Sequence, residues 1–306
     1  MNGPEAVAQR SCPACAAREA VRSDEPMWPA GWCCQACGHV IAQSSGIPLL
    51  APELADTISG FDPVSFAALA DIEASHFWFV ARNELMVGLS DRHFPEARRF
   101  LEIGCGNGIV LSALKASRRW ERLVGSDLHP TGLAQARARM LQGVEFVQMN
   151  ALVIPAVAAF DLIGAFDIVE HVADDEGVLR AIHRALRPGG GTIISVPQHP
   201  WLWSGADDVA HHQRRYRRGE LETKLQRSGF EILASLSYTA ILLPLLVASR
   251  IKARIKPSEQ DLNREVSLNR AVNAVLLAML RAEVRLTLAG VHWPAGGSRV
   301  VVARAV

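Results

Sequence analysis

No charge of either sign dominates this chain. Over 306 residues, 32 Lys and Arg stand against 31 Asp and Glu, a formal net of +1. That removes both the broad basic footprint of a nucleic-acid binder and the excess acidity of a solvating tail. The opening stretch, MNGPEAVAQR, has no apolar run behind a basic start. No secretory signal is read there, and a cytoplasmic, reducing setting is expected. No internal repeat or low-complexity tract is visible. Residues 232–249 contain no Lys, Arg, Asp or Glu, but Ser235, Ser237, Thr239 and Pro244 divide them into strand and helix instead of one membrane span. With 49% hydrophobic and 21% charged residues, disorder is excluded, and the chain can bury a full domain core beside a smaller appendage.

Cysteine is sparse along most of the chain and dense at its front. Five of six lie between positions 12 and 37, and only Cys105 stands apart. Cys12-Pro-Ala-Cys15 and Cys34-Gln-Ala-Cys37 are two CxxC pairs with 18 residues between them, the spacing of a four-thiolate zinc ribbon. The alternative is a redox or disulfide pair. Cys33 competes with Cys34 as a ligand, although Cys34 keeps the two-residue gap to Cys37, and His39 is a weaker substitute. The segment from Cys34 to Val40, followed by Ser45-Gly-Ile-Pro-Leu-Leu, resembles the small zinc ribbons that accompany some RNA-modifying methyltransferases. Such a closed site is structural and serves folding, docking or recognition. Residues 1–55 are read as this ribbon and 56–98 as a helical lead-in.

From residue 99, apolar runs of strand length alternate with helix-compatible stretches, the pattern of a parallel α/β sheet. The runs begin at Arg99, Arg122, Val144, Phe160 and Gly191, with turns expected at 104–108, at His129-Pro130 and at Arg187-Pro-Gly-Gly-Gly. The first run ends in Glu102-Ile-Gly104-Cys105-Gly106-Asn-Gly108. Its GxGxG spacing and its leading carboxylate suit a ligand without phosphates better than a dinucleotide. Asp127 closes the second run 19 residues after Gly108, where a carboxylate reaches ribose hydroxyls.

Together, Leu101-Glu-Ile-Gly-Cys-Gly-Asn-Gly, Val124-Gly-Ser-Asp-Leu, Phe166-Asp-Ile-Val-Glu-His and Leu186-Arg-Pro-Gly-Gly resemble the class I S-adenosylmethionine-dependent methyltransferases over residues 80–235. The resemblance implies a Rossmann-like seven-stranded α/β fold and S-adenosylmethionine as cofactor. It implies that Glu102, Gly104, Cys105, Gly106 and Gly108 line the methionine and ribose parts, with Asp127 on the ribose. Leu128 would pack on adenine, Asn150 would accept from the adenine amino group, and Ala151 and Phe166 would lie alongside. Residues 99–239 are read as this core and 293–306 as its last strand.

The acceptor side stays open between several readings. Asp167, Glu170 and His171 follow the fourth strand as pocket lining, as a general base through His171, or as a divalent-metal site. The last resembles the acidic-x-x-Glu-His triplet of ubiquinone-pathway O-methyltransferases and small-RNA 2′-O-methyltransferases. After the fifth strand, His199, Trp201 and Trp203 precede His211, His212, Arg214 and Arg215. The tryptophans either wall an apolar acceptor pocket or pack beneath the loop, and the arginines either clamp a phosphate or carboxylate or start a solvated helix. His-x-Arg-Arg-Tyr is similar to a segment of bacterial methyltransferases, which makes His211 and His212 candidate bases or substrate contacts. His76, Trp78 and Arg82 are candidate contacts from the lead-in helix. Residues 240–292 form a helical insertion carrying an apolar helix and the basic stretch Arg250 to Lys256: a lid, a core or homodimer interface, or a membrane-surface element at the inner face. The expected activity is methyl transfer to a small or lipid-linked metabolite, oxygen favoured over nitrogen or carbon. An RNA methyltransferase and a non-catalytic cofactor-binding partner are the alternatives.

Overall fold

The structure, a computed structural model, describes residues 7–55, 70, 72–139, 142–255 and 268–306. The rest of the lead-in (56–69 and 71) and the end of the basic stretch at Lys256 lie outside the described residues. The cysteine-rich front forms two hairpins, β1 (Gln9–Ser11) with β2 (Arg18–Ala20), and β3 (Ala42–Ser44) with β4 (Ile47–Leu49). Helix α1 (Phe77–His93) leads into β5 (Arg99–Ile103), α2 (Ile109–Ser117), β6 (Arg122–Asp127), α3 (Pro130–Ala138) and β7 (Val144–Gln148). Next come a two-residue β8 (Ala156–Val157), β9 (Phe160–Phe166), α4 (Asp175–Ala185) and β10 (Leu186–Pro197). The chain ends with α5 (Gly205–Val209), α6 (Glu220–Arg227), β11 (Phe230–Tyr238), α7 (Leu243–Ile255), α8 (Arg270–Leu288) and β12 (Ser298–Ala305).

The main sheet has the order β11-β12-β10-β9-β5-β6-β7-β4-β3. Strands β10, β9, β5, β6 and β7 run parallel, and β12 lies antiparallel between β10 and β11. The strands read as apolar runs because helices cover both faces and leave no side for water. Sequence order reverses between β5 and β9, where an open α/β sheet leaves a crevice at its carboxyl edge. The loops after β5 and β9 therefore meet there.

Two features differ from the simple reading of the sequence. The Arg187-Pro-Gly-Gly stretch is no turn. It is an irregularity inside β10, where the register on β9 shifts between Leu186 and Gly191 and Gly189 takes φ +76°. A Cβ at Gly191 would lie 1.9 Å from the ring of Phe94, so β10 passes that ring only because the side chain is missing. The front hairpins are also woven into the core. β1 pairs with β8, β4 pairs with β7 through Leu49 and Gln148, and the Met27 N–H donates to Glu145, which pairs with Arg122. The β7 edge of the sheet is thereby covered.

The insertion closes on α1. Arg281 of α8 makes a two-pronged pair with Glu84 at 2.7 and 2.9 Å, Asn273 accepts from the Phe77 N–H, and Leu288 presses on Gly88, where a Cβ would meet it at 2.5 Å. Buried Glu283 accepts from the N–H groups of Ala240 and Ile241, which fixes the start of the insertion. Strand β11 ends at Tyr238 and α7 begins at Leu243 with Pro244 in its first turn, as the polar residues and proline imply. No helix among the described residues is long and apolar enough to cross a membrane.

Candidate functional site

Beyond β5, Gly104, Gly106 and Gly108 all take positive φ, +68°, +49° and +72°, and Gly108 caps the start of α2. At Gly104 the need is also steric, since a Cβ would lie 2.0 Å from the Ile168 side chain. The loop is held from the neighbouring strand end: Asp127 accepts from the Gly106 N–H at 2.9 Å and from the His129 N–H at 2.9 Å. Burial pushes the Asp127 carboxyl up, and those two backbone donors oppose it. The loop borders a cavity of about 260 Å³ lined by Glu102, Gly104, Cys105, Gly106, Asp127, Leu128, Asn150, Ala151 and Phe166. Of the residues expected at the cofactor, Gly108 alone is set back from it. The Asn150 carbonyl also accepts from the Leu152 N–H at 3.0 Å, which fixes the side chain in a local turn.

Two charged side chains in this cavity have unsatisfied atoms. Glu102 is 2% exposed, its Oε2 has no hydrogen-bond partner, and burial raises its carboxyl well above the usual range against the pull of Arg82. Arg82 is buried and its Nε is likewise unpartnered. A lone acceptor and a lone donor of opposite charge suit the ammonium and carboxylate of an amino-acid moiety, while Asp127 suits a ribose. The donor set fits S-adenosylmethionine. Glu73, just ahead of α1 and paired with Arg139 at 2.8 Å, also lines this cavity, and nothing in its sequence context marked it.

Asp167 borders this cavity and a second one of about 620 Å³. It is held at φ +58°, unusual for a residue with a side chain, by its N–H bond to Ser195 and by Arg82, whose Nη1 donates to Oδ2 at 2.8 Å while its guanidinium lies 4.5 Å above Trp78. Past Asp167 the chain makes a single 3-10 turn, Val169–His171, that drives Glu170 inward to 0% exposure. Neither Glu170 oxygen has a hydrogen-bond partner, and burial with nearby Asp167 raises its carboxyl well above the usual range. The His171 and His212 rings stand almost edge to face, 4.8 Å apart. Burial and the neighbouring His212 pull His171 down to about 4, so it is neutral at neutral pH.

His212 is oriented by Asp207, a residue the sequence reading left without a role. Its Nδ1 lies 2.9 Å from Asp207 Oδ1, which also accepts from Arg215 Nε at 2.7 Å. A carboxylate there assigns the ring proton to Nδ1 and leaves Nε2 as the acceptor, 3.9 Å from Glu170. Asp207 closes a capping box with Ser204 at the start of α5, the one local signal that could have flagged it. The other side of the cavity is apolar: Phe77, Trp78, Leu242, Leu245, Leu246 and Leu276.

Other predicted residues do not reach either cavity. His211 is exposed at φ +55°, and His199 stacks against Trp201 at 5.3 Å. Neither Trp201 nor Trp203 walls the larger cavity; Trp203 donates to Asp208, and the aromatic wall comes from α1. Arg214 is engaged by Asp175 and the Ala173 carbonyl, so only Arg215 of the pair faces the cavity. The thiols of Cys12, Cys15, Cys34 and Cys37 gather within 4.8 Å of one another, with Cys12–Cys37 and Cys15–Cys34 at 3.7 Å. Tetrahedral zinc with bonds of about 2.3 Å separates its sulfurs by about 3.8 Å, so this cluster fits that ion. Cys33 lies outside it, in an isolated bridge to Val40, with its thiol towards the Gly38 carbonyl. A second group capable of holding a metal consists of Glu170, His171 and His212; Asp167, expected there, pairs with Arg82 instead.

A family model described as a methyltransferase domain matches residues 74–235, more than half of the chain. The chain belongs to the methyltransferase domain family. Among curated relatives, a ubiquinone biosynthesis O-methyltransferase of Pseudomonas aeruginosa is 30% identical over 149 residues, covering 44% of this chain and 63% of the relative. A probable S-adenosylmethionine-dependent methyltransferase of Mycolicibacterium smegmatis is 29% identical over 160 residues, covering 51% and 60%. The methyltransferase domain thus spans somewhat under two thirds of the length of these relatives. Among solved structures, geranyl diphosphate C-methyltransferase of Streptomyces coelicolor aligns with a TM-score of 0.50 at 17% identity, covering 72% of this chain and 78% of that one, which shows the shared fold.

Proposed function

We propose that this methyltransferase domain moves the methyl group of S-adenosylmethionine to a small or lipid-linked acceptor, with oxygen as the accepting atom. The observation that carries the reading is the junction at Asp167: a cavity suited to the cofactor opens beside a larger one whose floor is ionisable and whose wall is apolar. When bound, the cofactor supplies an electrophilic methyl on a sulfonium that leaves as a neutral thioether. Asp127, Glu102 and Arg82 hold and orient it. His212, with Nδ1 fixed by Asp207, offers Nε2 to take the acceptor's hydroxyl proton, so the neutral product and an imidazolium balance the step. The leucine and tryptophan wall keeps water from competing and positions an apolar body near the floor. Similarity to ubiquinone biosynthesis O-methyltransferases supports an oxygen acceptor.

A second reading is favoured by Glu170. A fully buried carboxylate with no hydrogen-bond partner, beside two imidazoles, is the donor set of a divalent cation that would acidify the acceptor hydroxyl. In that case His212 is a ligand and not the base. Native mass spectrometry with S-adenosylhomocysteine, with and without a chelator, tests both. One cofactor and one zinc, the zinc lost in Cys12→Ser, supports a structural ribbon and imidazole catalysis. An additional ion lost in Glu170→Ala supports the metal reading. Absence of cofactor binding overturns the proposal. Methyl transfer to tRNA or rRNA, with none to small hydroxylated amphiphiles, would replace the acceptor class.

A further inference from the structure

The two helices of the insertion hide one face and display another. On α8, Leu280, Glu283, Val284 and Thr287 are buried towards the core. About a quarter turn around the helix from them, Val272, Val275, Met279 and Leu286 follow spacings of three, four and seven residues, which places them on one stripe, and they are 48%, 60%, 36% and 44% exposed. Helix α7 adds Leu245 and Ile251, 58% and 51% exposed. A helix on a water-facing surface normally fills such a stripe with charged side chains, so a stripe of Val, Met and Leu calls for something to cover it.

The charge on these helices indicates what that is. Each carries three Lys or Arg in its sequence, of which Arg281 is already paired with Glu84 of α1, and the two share a single acid, Glu283. That acid is 0% exposed and bonded to backbone N–H groups, so neither helix offers a carboxylate to the surface. In a chain whose overall net is only +1, this is a local concentration of cations with apolar groups between them. We propose that the exposed face of α7 and α8 docks the protein on an anionic lipid surface, with the apolar stripe among the acyl chains and the cations at the headgroups. A second copy of the chain is disfavoured, because a two-fold interface would set this cationic face against itself. Docking is in the plane of the surface, since neither helix can span it.

The same helices form the rim of the acceptor cavity: Leu245, Leu246 and Ser249 of α7 and Leu276 of α8 line it. A lipid-linked acceptor would then move from the bilayer to the ionisable floor without its tail crossing water. That clause rests on the proposed function; the docking does not. The test accordingly uses neither cofactor nor acceptor.

The full chain is floated with vesicles of phosphatidylcholine alone and of phosphatidylcholine mixed with phosphatidylglycerol. Binding is expected to be about tenfold stronger to the anionic vesicles, to fall with added salt, and to fall about tenfold again in Val275→Glu/Met279→Glu. Arg285→Glu should weaken it by a smaller factor. In each variant, unchanged S-adenosylhomocysteine affinity and melting temperature show that the fold is intact. Protein that stays in solution with both vesicles, or a double variant that binds as well as the parent, overturns the proposal. So does a dimer in solution that the double variant converts to monomer, since that would assign the stripe to a second copy. None of these failures touches the methyltransferase reading.

Discussion

On one side of Asp167, the cofactor cavity is built from short stretches at strand ends, 102–106, 127–129, 149–151 and 166–168, and its central bonds run between a side chain and backbone N–H groups. On the other side, the acceptor cavity gathers α1, the turn after β9, the loop after β10 and both insertion helices, and its polar floor is a chain of side-chain contacts, Arg215–Asp207–His212–Glu170. The first kind of site depends on positions where only certain backbones fit. The second depends on which side chains the packing brings together. The two halves should therefore fail differently: the cofactor half by losing affinity, the acceptor half by losing turnover.

The largest expected separation comes from His212→Ala, which should lower kcat by about 10²- to 10⁴-fold while S-adenosylhomocysteine affinity stays as in the parent. A parallel loss of affinity would break the division. Asp127→Ala is the mirror image. Two hydrogen bonds to a charged group are lost at about 1.5 kcal/mol or more each, so calorimetry should show affinity reduced about 100-fold, with kcat at saturating cofactor changed little. Asp207→Asn should act on the acceptor side alone, with kcat down about tenfold. An unchanged kcat would remove Asp207 from its positioning role.

The same contrast explains how much could be read from the residues in order. Strands β5, β6, β7 and β9 begin where the apolar runs begin, because parallel strands in the middle of a covered sheet leave a dense local signature. The glycine loop and Asp127 are legible for a related reason: positive φ and a fixed offset from the first strand are properties of the chain itself. Asp207 and the inward turn of Glu170 are not. Glu170 gains its meaning from His212, more than forty positions later, and Asp207 from His212 and Arg215, five and eight positions later through an irregular loop, and no spacing rule records such contacts. His199 and His211 are the converse, imidazoles in the right stretch of sequence that the loop geometry points elsewhere. The four clustered cysteines were legible as a set, but not the way their hairpins extend the core sheet, since β1, β4 and β8 are too short to carry a periodic pattern.

Arg82 is where the two halves touch, and it gives the smallest expected effect. Its guanidinium stacks on Trp78, pairs with Asp167 at the boundary, and leaves Nε unpartnered in the cofactor cavity. Arg82→Lys keeps a positive charge near Glu102 and Asp167, so neither carboxylate is left wholly uncompensated. It removes the planar stack and one of the two directed donors, a change of about 1 kcal/mol, or about fivefold. If Arg82 positions Asp167 and the cofactor together, S-adenosylhomocysteine affinity and kcat should both fall by that factor. If only affinity falls, Asp167 is held by its backbone bond to Ser195 alone, and the acceptor half is independent of Arg82. If only kcat falls, the unpartnered Nε does not meet the cofactor, and the carboxylate of its amino-acid moiety must find another donor.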